Sequence, residues 1–377
     1  MNNKKLLVFA LLFSVATSLF AQKDPYKRAK NHLKERQYVE AVVAIDEAIS
    51  DEKLKEKDDT WLMRGYIYDS LSFIPNGDSL VSDPLTTALQ SYNKVIGMKK
   101  GSASDANKQL DIMYAKFMNK GVAAYQASDM STATRFFERS ALVKPSDTVA
   151  LSYALTTAGA ADKIDSKKVE GFCDRLIALN YTQPMVYLWK IRLASDEENF
   201  EKAIKVVADA RKVHPTNKDI LLSSINVFAR ANKLPEAIKD LEEAVKLDPT
   251  NPILYVNLGL LYEQTGSTDK ALPNYSKALE LQPNNYDAIY SVGAFHYNQG
   301  VKVKKIVDGM TLQEYEKKGK EVEEQTKVHF KAALPYFEKA ANLKKDDMQV
   351  LGGLKSMYMI LGEPDKAAKI QELLDKL

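Results

Sequence analysis

The sequence predicts an all-α fold, an α-solenoid of stacked antiparallel helix pairs in which one pair carries an elongated helical hairpin insertion. The first supporting observation is a constant repeat period, seen for example in Ala203, Ala237 and Ala271, which lie 34 positions apart. The second is that each period holds two helical patterns of apolar residues separated by a turn. The third is composition, because 16 glycines and 13 prolines in 377 residues are too few for a turn-rich β fold. Such a period indicates a stack of repeats rather than two or three separate cores.

The segment Met1–Ala21 precedes the repeats and has the pattern of a secretory signal peptide. A basic start is followed by the apolar run Leu6–Phe13 and by small residues up to Ala21. The run is shorter than the ~20 apolar residues that span a bilayer, so we expect cleavage after Ala21. This pattern predicts an exported, periplasmic protein. The alternatives are a secreted protein and a protein anchored by an uncleaved N-terminal segment.

The clearest repeat spans residues 252–285 and consists of two helical patterns. Gly259 and Ala271 are small residues at positions where two paired helices approach closely. Gly266 can adopt the left-handed conformation that ends the first helix. Pro283 cannot continue the second helix, so it ends the repeat. The repeat therefore predicts a helix, a tight turn and a second helix.

These residues resemble the tetratricopeptide repeat (TPR) family, whose helix-turn-helix unit has the same length as this period. The residues that carry the resemblance are Tyr255, Leu258, Gly259, Tyr262, Ala271, Tyr275, Ala278 and Pro283. The same frame, extended over residues 22–377, predicts repeats at 22–55, 58–103, 114–147, 148–183, 184–217, 218–251, 252–285, 286–346 and 347–377. The repeat at 148–183 is degenerate, and the partial pair at 347–377 is expected to cap the array.

Two insertions interrupt the predicted repeats. Residues 73–83 are rich in Pro, Asn, Gly, Asp and Ser, which is typical of a surface loop. Residues 301–331 contain a turn and a capping box formed by Thr311 and Glu314. We expect this segment to extend the second helix of its repeat at its start, with a kink at Pro335. Two interpretations stay open: an arm that touches a partner, and an internally packed extension with a solvated charged face.

No pattern in the sequence indicates catalysis, a metal site or a nucleotide site. Cys173 is the single cysteine, which excludes an internal disulfide. The four histidines lie far apart in the sequence, without the spacing of metal ligands. Lys and Arg number 53 against 50 Asp and Glu, so there is no basic field that would indicate nucleic acid. We therefore expect a non-enzymatic protein with no cofactor, no metal and no nucleic-acid partner.

The resemblance implies that a ligand binds on the concave face, mostly through the first helix of each repeat. The candidate partner-binding residues lie opposite the packing stripe of those helices and are Tyr66, Tyr125, Leu188, Arg192, Asn226, Asn257, Tyr290, Tyr297 and Asn298. Tyrosine offers flat apolar area, and asparagine can bond both backbone groups of a peptide. An extended peptide segment is the ligand that this mixture suits.

One TPR subfamily clamps the C-terminal carboxylate of its ligand with lysine, arginine and asparagine. The corresponding positions here are Leu222, Asn226, Asn257, Asp287 and Ser291. None of the five is basic, and an anionic tail would meet Asp287 instead. The function of that subfamily is therefore not transferred to this chain.

The sequence as a whole predicts an interaction scaffold of the cell envelope that binds a peptide segment or partner protein and supports assembly or maintenance of a complex. After signal cleavage, it is not expected to be an integral membrane protein. The alternative is a structural or oligomerising subunit that acts through residues 301–343 or the C-terminal helices, with no groove ligand. A third hypothesis, an enzyme or glycan binder, rests only on exposed Tyr and Asn.

Overall fold

The computed structural model describes residues 24–377, so the predicted signal peptide and its cleavage site lie outside the described residues. Within this range the regular elements are helices, and the predicted all-α fold class of stacked helix pairs is confirmed. The helices group into two compact bodies. The N-terminal lobe ends at Tyr181, and the C-terminal lobe runs from Thr182 to Leu377. The division falls at the end of the degenerate repeat 148–183.

The N-terminal lobe is a series of helix pairs joined by short connections. Its helices are α1 (Pro25–Lys34), α2 (Tyr38–Ser50), α3 (Asp58–Ser72), α4 (Gly77–Leu80), α5 (Pro84–Met98), α6 (Ala103–Gln126), α7 (Met130–Val143), α8 (Thr148–Gly159) and α9 (Ser166–Ala178). Paired helices are α1 with α2, α3 with α5, α6 with α7, and α8 with α9. The degenerate repeat therefore still forms a helix pair.

The C-terminal lobe continues the same arrangement. Its helices are α10 (Pro184–Asp196), α11 (Phe200–Val213), α12 (Lys218–Arg230), α13 (Leu234–Leu247), α14 (Pro252–Gln264), α15 (Thr268–Leu281), α16 (Tyr286–Asp308), α17 (Leu312–Glu314), α18 (Lys320–Leu343), α19 (Met348–Leu361) and α20 (Pro364–Leu374). The side chains of Asn217, Asn251 and Asn285 each accept a hydrogen bond from a backbone amide in the first turn of α12, α14 and α16. The constant repeat period thus places an N-cap before each of these helices.

The close approach predicted between paired helices depends on glycine facing an aromatic ring. A Cβ atom at Gly259 in α14 would lie 2.4 Å from Cε1 of Tyr275 in α15. The same contact recurs between Gly65 and Tyr92, Gly121 and Phe137, and Gly293 and Phe337. Because a side chain at these glycines would collide with a buried ring, the pairs set the distance between the two helices of a repeat.

The insertion at residues 73–83 is more ordered than the predicted surface loop. It contains α4 and is held by Arg139 of α7. The Arg139 guanidinium donates to the backbone oxygen of Ser72 at 2.9 Å and to the carboxylate of Asp78 at 2.5 Å. One arginine from the following repeat therefore joins the residue before the inserted segment to Asp78 in its middle.

The insertion at residues 301–331 lengthens both helices of its repeat, whereas the sequence predicted extension of the second helix alone. Helix α16 runs on to Asp308, and the predicted capping box of Thr311 and Glu314 is present in α17. A π-helical turn then leads into α18, which includes Pro335. A Cβ atom at Gly300 would lie 2.7 Å from the Phe330 ring, so the two extended helices pack closely. Contact of this hairpin with another chain stays a prediction.

Candidate functional site

The C-terminal lobe contains a groove of about 540 Å³ between α14 and α16. Its lining consists of pairs of side chains from equivalent repeat positions: Ile253 and Asp287, Val256 and Tyr290, Asn257 and Ser291, Leu260 and Ala294, and Gln264 and Asn298. Glu263, Tyr275 and Asn285 complete it. The groove is thus built from matching positions of two successive repeats, which the stacking of one repeat on the next brings side by side.

Buried and half-buried aromatic rings pack at the base of the groove. The hydroxyl of Tyr275, whose side chain is fully buried, donates to a carboxylate oxygen of Glu263 at 3.0 Å. The half-buried ring of Tyr290 stacks on Tyr286 with centroids 6.3 Å apart and contacts Phe337 at 6.0 Å. Burial, with a smaller contribution from the charge of Asp347, raises the pKa of Tyr290. Its phenol is therefore a neutral hydrogen-bond donor throughout the physiological range.

Aliphatic side chains on the α14 wall are unusually exposed. Ile253 is 60% exposed and Leu260 is 41% exposed, although both belong to a helix that is otherwise largely apolar and buried. Val256, one turn from each of them, is buried. Exposed aliphatic area inside a concave surface is typical of a binding site, because contact with a ligand removes it from water.

Polar side chains of the groove are unpaired within the part of the chain that the structure describes. Asn257, Gln264, Asp287 and Asn298 are exposed and make no hydrogen bond or ion pair there. Ser291 is only 7% exposed, and its hydroxyl also has no hydrogen-bond partner among residues 24–377. Amide, hydroxyl and carboxylate groups in this arrangement can bond the backbone and side chains of a peptide.

Three of the nine predicted binding residues meet in this groove. Asn257 contributes to the α14 wall, and Tyr290 and Asn298 contribute to the α16 wall. Ile253 and Leu260 were missed by sequence reasoning. A usable signal was present for Ile253, because the equivalent position of the next repeat is Asp287 and a core position would not hold an aspartate. No such signal was present for Leu260, whose equivalent residue is Ala294.

Three other predicted residues lie on earlier helices of the same lobe and do not line the groove. Leu188 is half-buried on α10, and Asn226 is exposed on α12. The guanidinium of Arg192 lies over the Trp189 ring, 4.9 Å from its centroid, and 3.7 Å from the carboxylate of Asp196. Their predicted role in binding a partner is untested.

The remaining three predicted residues are tyrosines outside the groove. The ring of Tyr297 packs against Phe330 at 5.3 Å and Phe337 at 5.5 Å, so it contributes to the contact between α16 and α18. Tyr66 is half-buried in the N-terminal lobe and meets the edge of another ring. Tyr125, also in that lobe, is 50% exposed near the end of α6.

The described residues contain little that would support another kind of site. Between residues 24 and 377, no three His, Cys, Asp or Glu side chains are grouped so that they could hold a metal ion. In the same range, no helix is both long and apolar enough to cross a membrane. Cys173 is buried. The groove is therefore the strongest candidate for a functional site in the described part of the chain.

Two family models match the chain, both within the C-terminal lobe. One, described as TPR repeat, matches residues 226–266, and the other, described as Tetratricopeptide repeat, matches residues 252–285. The second match covers the repeat that forms the α14 wall of the groove. Among curated proteins, no significant match is found.

Several solved structures are similar to parts of the chain. A MamA crystal structure has 19% identity and a TM-score of 0.42 and covers 45% of this chain and 92% of its own. MamA from Desulfovibrio magneticus RS-1 has 16% identity and a TM-score of 0.40, with coverages of 45% and 96%. YrrB, a TPR protein with an unusual peptide-binding site, has 15% identity and a TM-score of 0.41, with coverages of 54% and 98%.

The family matches agree with the molecular features described above. The constant repeat period, the asparagine N-caps and the contact of Gly259 with Tyr275 all recur in the matched region. Repeats of this type bury a shared core between neighbours and leave a concave surface for other proteins. Residues 226–285 of the chain therefore form tetratricopeptide repeats.

Proposed function

We propose that this chain is a non-enzymatic scaffold that binds an extended peptide segment of a partner protein in the groove between α14 and α16. The observation that carries the proposal is the combination of exposed aliphatic surface at Ile253 and Leu260 with unpaired polar groups beside it. The groove that holds both kinds of group has a volume of about 540 Å³. No catalytic step is required of these residues.

The energetics favour reversible binding. Covering the exposed parts of Ile253 and Leu260 contributes roughly 1 kcal/mol each, since full burial of such a side chain is worth about 1.5–3 kcal/mol. Each peptide hydrogen bond adds about 1 kcal/mol net. The cost of ordering the peptide offsets part of this sum, so we expect weak and reversible binding, which suits a scaffold whose partners exchange.

Binding in the groove predicts that a partner can be crosslinked to it and that this crosslink depends on Leu260. A photo-crosslinking residue placed at Asn257 should capture a partner in intact cells, because Asn257 lies between the aliphatic and polar parts of the groove. Adding Leu260→Glu should lower the yield of that adduct at least tenfold, since a carboxylate would replace apolar contact. The adduct is measured by immunoblot and identified by mass spectrometry.

Leu343→Glu provides the matched control. Leu343 ends α18, is 47% exposed and does not line the groove. We expect this variant to leave the adduct at Asn257 unchanged. An adduct that survives Leu260→Glu as well as Leu343→Glu would rule out binding in the groove.

We also propose that the chain is exported to the periplasm, which would make the partner a protein of the cell envelope and its complex an envelope assembly. The support is the pattern of a basic start, a short apolar run and Ala21. Mass spectrometry of the purified native protein should find Gln22 at the N-terminus. A mature protein that retains Lys4 would contradict cleavage at this position.

A further inference from the structure

The charged side chains that line the groove are all acidic. Two carboxylates line it, those of Glu263 and Asp287, and neither lysine nor arginine is among the residues that line it. Elsewhere in the same lobe, carboxylates have cationic partners: Glu280 pairs with Lys277 at 2.8 Å and Glu243 pairs with Arg211 at 2.5 Å. The groove therefore presents negative charge that the described chain does not neutralise.

Glu263 is held in place with one oxygen free. Its Oε2 atom accepts the hydrogen bond from the buried hydroxyl of Tyr275, and its Oε1 atom has no partner within residues 24–377. The residue is half-buried, so its carboxylate is partly shielded from water. A fixed and partly desolvated carboxylate attracts a cation more strongly than a mobile surface carboxylate does.

Asp287 faces the groove from the opposite wall. It lies in the first turn of α16, where the helix dipole favours a negative charge. Ser291, one turn later, is more than nine-tenths buried and lines the groove, and its hydroxyl has no hydrogen-bond partner among residues 24–377. A ligand that places a cation at Asp287 can also bond this hydroxyl, so the two residues form one polar subsite.

The aliphatic and acidic groups lie within reach of a single peptide. Ile253 and Asp287 occupy equivalent positions of successive repeats, and Leu260 lies one turn from Glu263 on α14. Each carboxylate is thus beside an exposed aliphatic side chain. In an extended peptide, neighbouring side chains point to opposite sides, so alternating aliphatic and basic residues can reach both kinds of contact.

We propose that the groove selects an extended segment in which lysine or arginine is flanked by aliphatic side chains. The proposal rests on the proposed function, since it names the ligand class of the same groove. Segments rich in Asp or Glu are rejected, because their carboxylates would approach Glu263 and Asp287 with no cation between them.

This specificity can be tested with a random peptide library displayed on phage. The library is selected on the immobilised mature chain. We expect Lys or Arg next to Leu, Ile or Val to be enriched at least threefold over the unselected library. The double variant Glu263→Gln with Asp287→Asn should lose that enrichment, because it keeps the shape and hydrogen bonding of both side chains and removes their charge. Glu280→Gln is the control, since Glu280 lies outside the groove, and it should keep the enrichment.

The outcomes separate this inference from the proposed function. Peptides that bind in a Leu260-dependent manner without basic enrichment, or with acidic enrichment, would overturn the charge selectivity and leave groove binding intact. Enrichment that persists in the double variant would also overturn it, because the cation would then be recognised elsewhere. If no selected peptide depends on Leu260, both the inference and groove binding by peptides fail.

Discussion

Alanine at position 259 is expected to lower the free energy of unfolding by about 1–3 kcal/mol, whereas alanine at position 352 should raise it by about 0.5–1 kcal/mol. Both glycines lie within helices of the C-terminal lobe, Gly259 in α14 and Gly352 in α19. A Cβ atom at position 259 would lie 2.4 Å from a carbon of the Tyr275 ring, while one at position 352 meets no atom within 4 Å. The same chemical change therefore has opposite effects.

The ring of Tyr275 has little room to yield. It is fully buried, and its hydroxyl is bonded to Glu263. Relief of the collision at position 259 must move the ring or separate α14 from α15, and either change disturbs packing. At position 352, alanine loses less backbone entropy on folding than glycine does, with no steric cost.

Urea denaturation followed by circular dichroism on the full chain measures both effects. Gly352→Ala is the matched control for Gly259→Ala, because it makes the same substitution in a helix of the same lobe. If both variants shift the unfolding midpoint in the same direction, the close approach of α14 and α15 is not the reason that position 259 holds glycine.

The repeat frame could be predicted because one residue type satisfies one physical need in every repeat. The approach of α14 to α15 requires a small residue, and the prediction that Gly259 supplies it beside Tyr275 is confirmed. The insertions do not obscure this logic, since they fall between the glycine and its aromatic partner. Gly293 still meets Phe337 although the inserted hairpin lies between them in the sequence.

The groove was predicted in part. A polar side chain on an apolar helix indicates an exposed position, whereas an aliphatic side chain there does not show whether it is buried or exposed. Asn257 and Asn298 stand out on apolar helices, and both line the groove. Ile253 and Leu260 do not stand out, since α14 is apolar on nearly every face and helical periodicity cannot separate its core side from its ligand side. Their exposure depends on how the neighbouring repeats pack against α14, which the periodicity of a single helix does not include.

The insertion at residues 301–331 shows where local patterns mislead. Helix α16 was expected to keep its ordinary length, yet it continues through Gly300, which faces the Phe330 ring of α18. This continuation also brings Tyr297 against Phe330. A tyrosine near a normal helix end would be available to a ligand, whereas here the partner helix contacts its ring. These contacts join residues far apart in the sequence, on either side of the inserted turn, and a local sequence pattern does not include them.

Substitution of Asp69 by asparagine is expected to stabilise the chain by about 3 kcal/mol above pH 6 and by very little near pH 3. Asp69 lies in α3, is only 5% exposed, and its Oδ1 atom has no hydrogen bond of good geometry. The hydroxyl of Tyr92 on α5 is also buried without a well-formed hydrogen bond. A carboxylate in this position is costly, and asparagine removes its charge while keeping its shape.

Burial raises the pKa of Asp69 from 3.8 to about 6, against the smaller opposing effects of Lys116 on α6 and of Tyr92. The folded chain therefore binds this proton more tightly than the unfolded chain. Its contribution to stability is fully present below pH 3.8 and is lost as the pH rises through 6. At about 1.36 kcal/mol for each pKa unit, the loss is about 3 kcal/mol.

Other ionisable groups also change stability with pH, so the informative quantity is the difference between the variant and the natural chain at each pH. Urea denaturation of both proteins at pH 3, 5 and 7.5 measures it. The comparison at pH 3 is the internal control, because the Asp69 carboxyl is then protonated in the folded and the unfolded chain. The advantage of Asp69→Asn should grow between pH 3 and pH 6 and then stay constant. An advantage that is equal at all three pH values would mean that hydrogen bonding of the amide, rather than removal of a buried charge, accounts for the stabilisation.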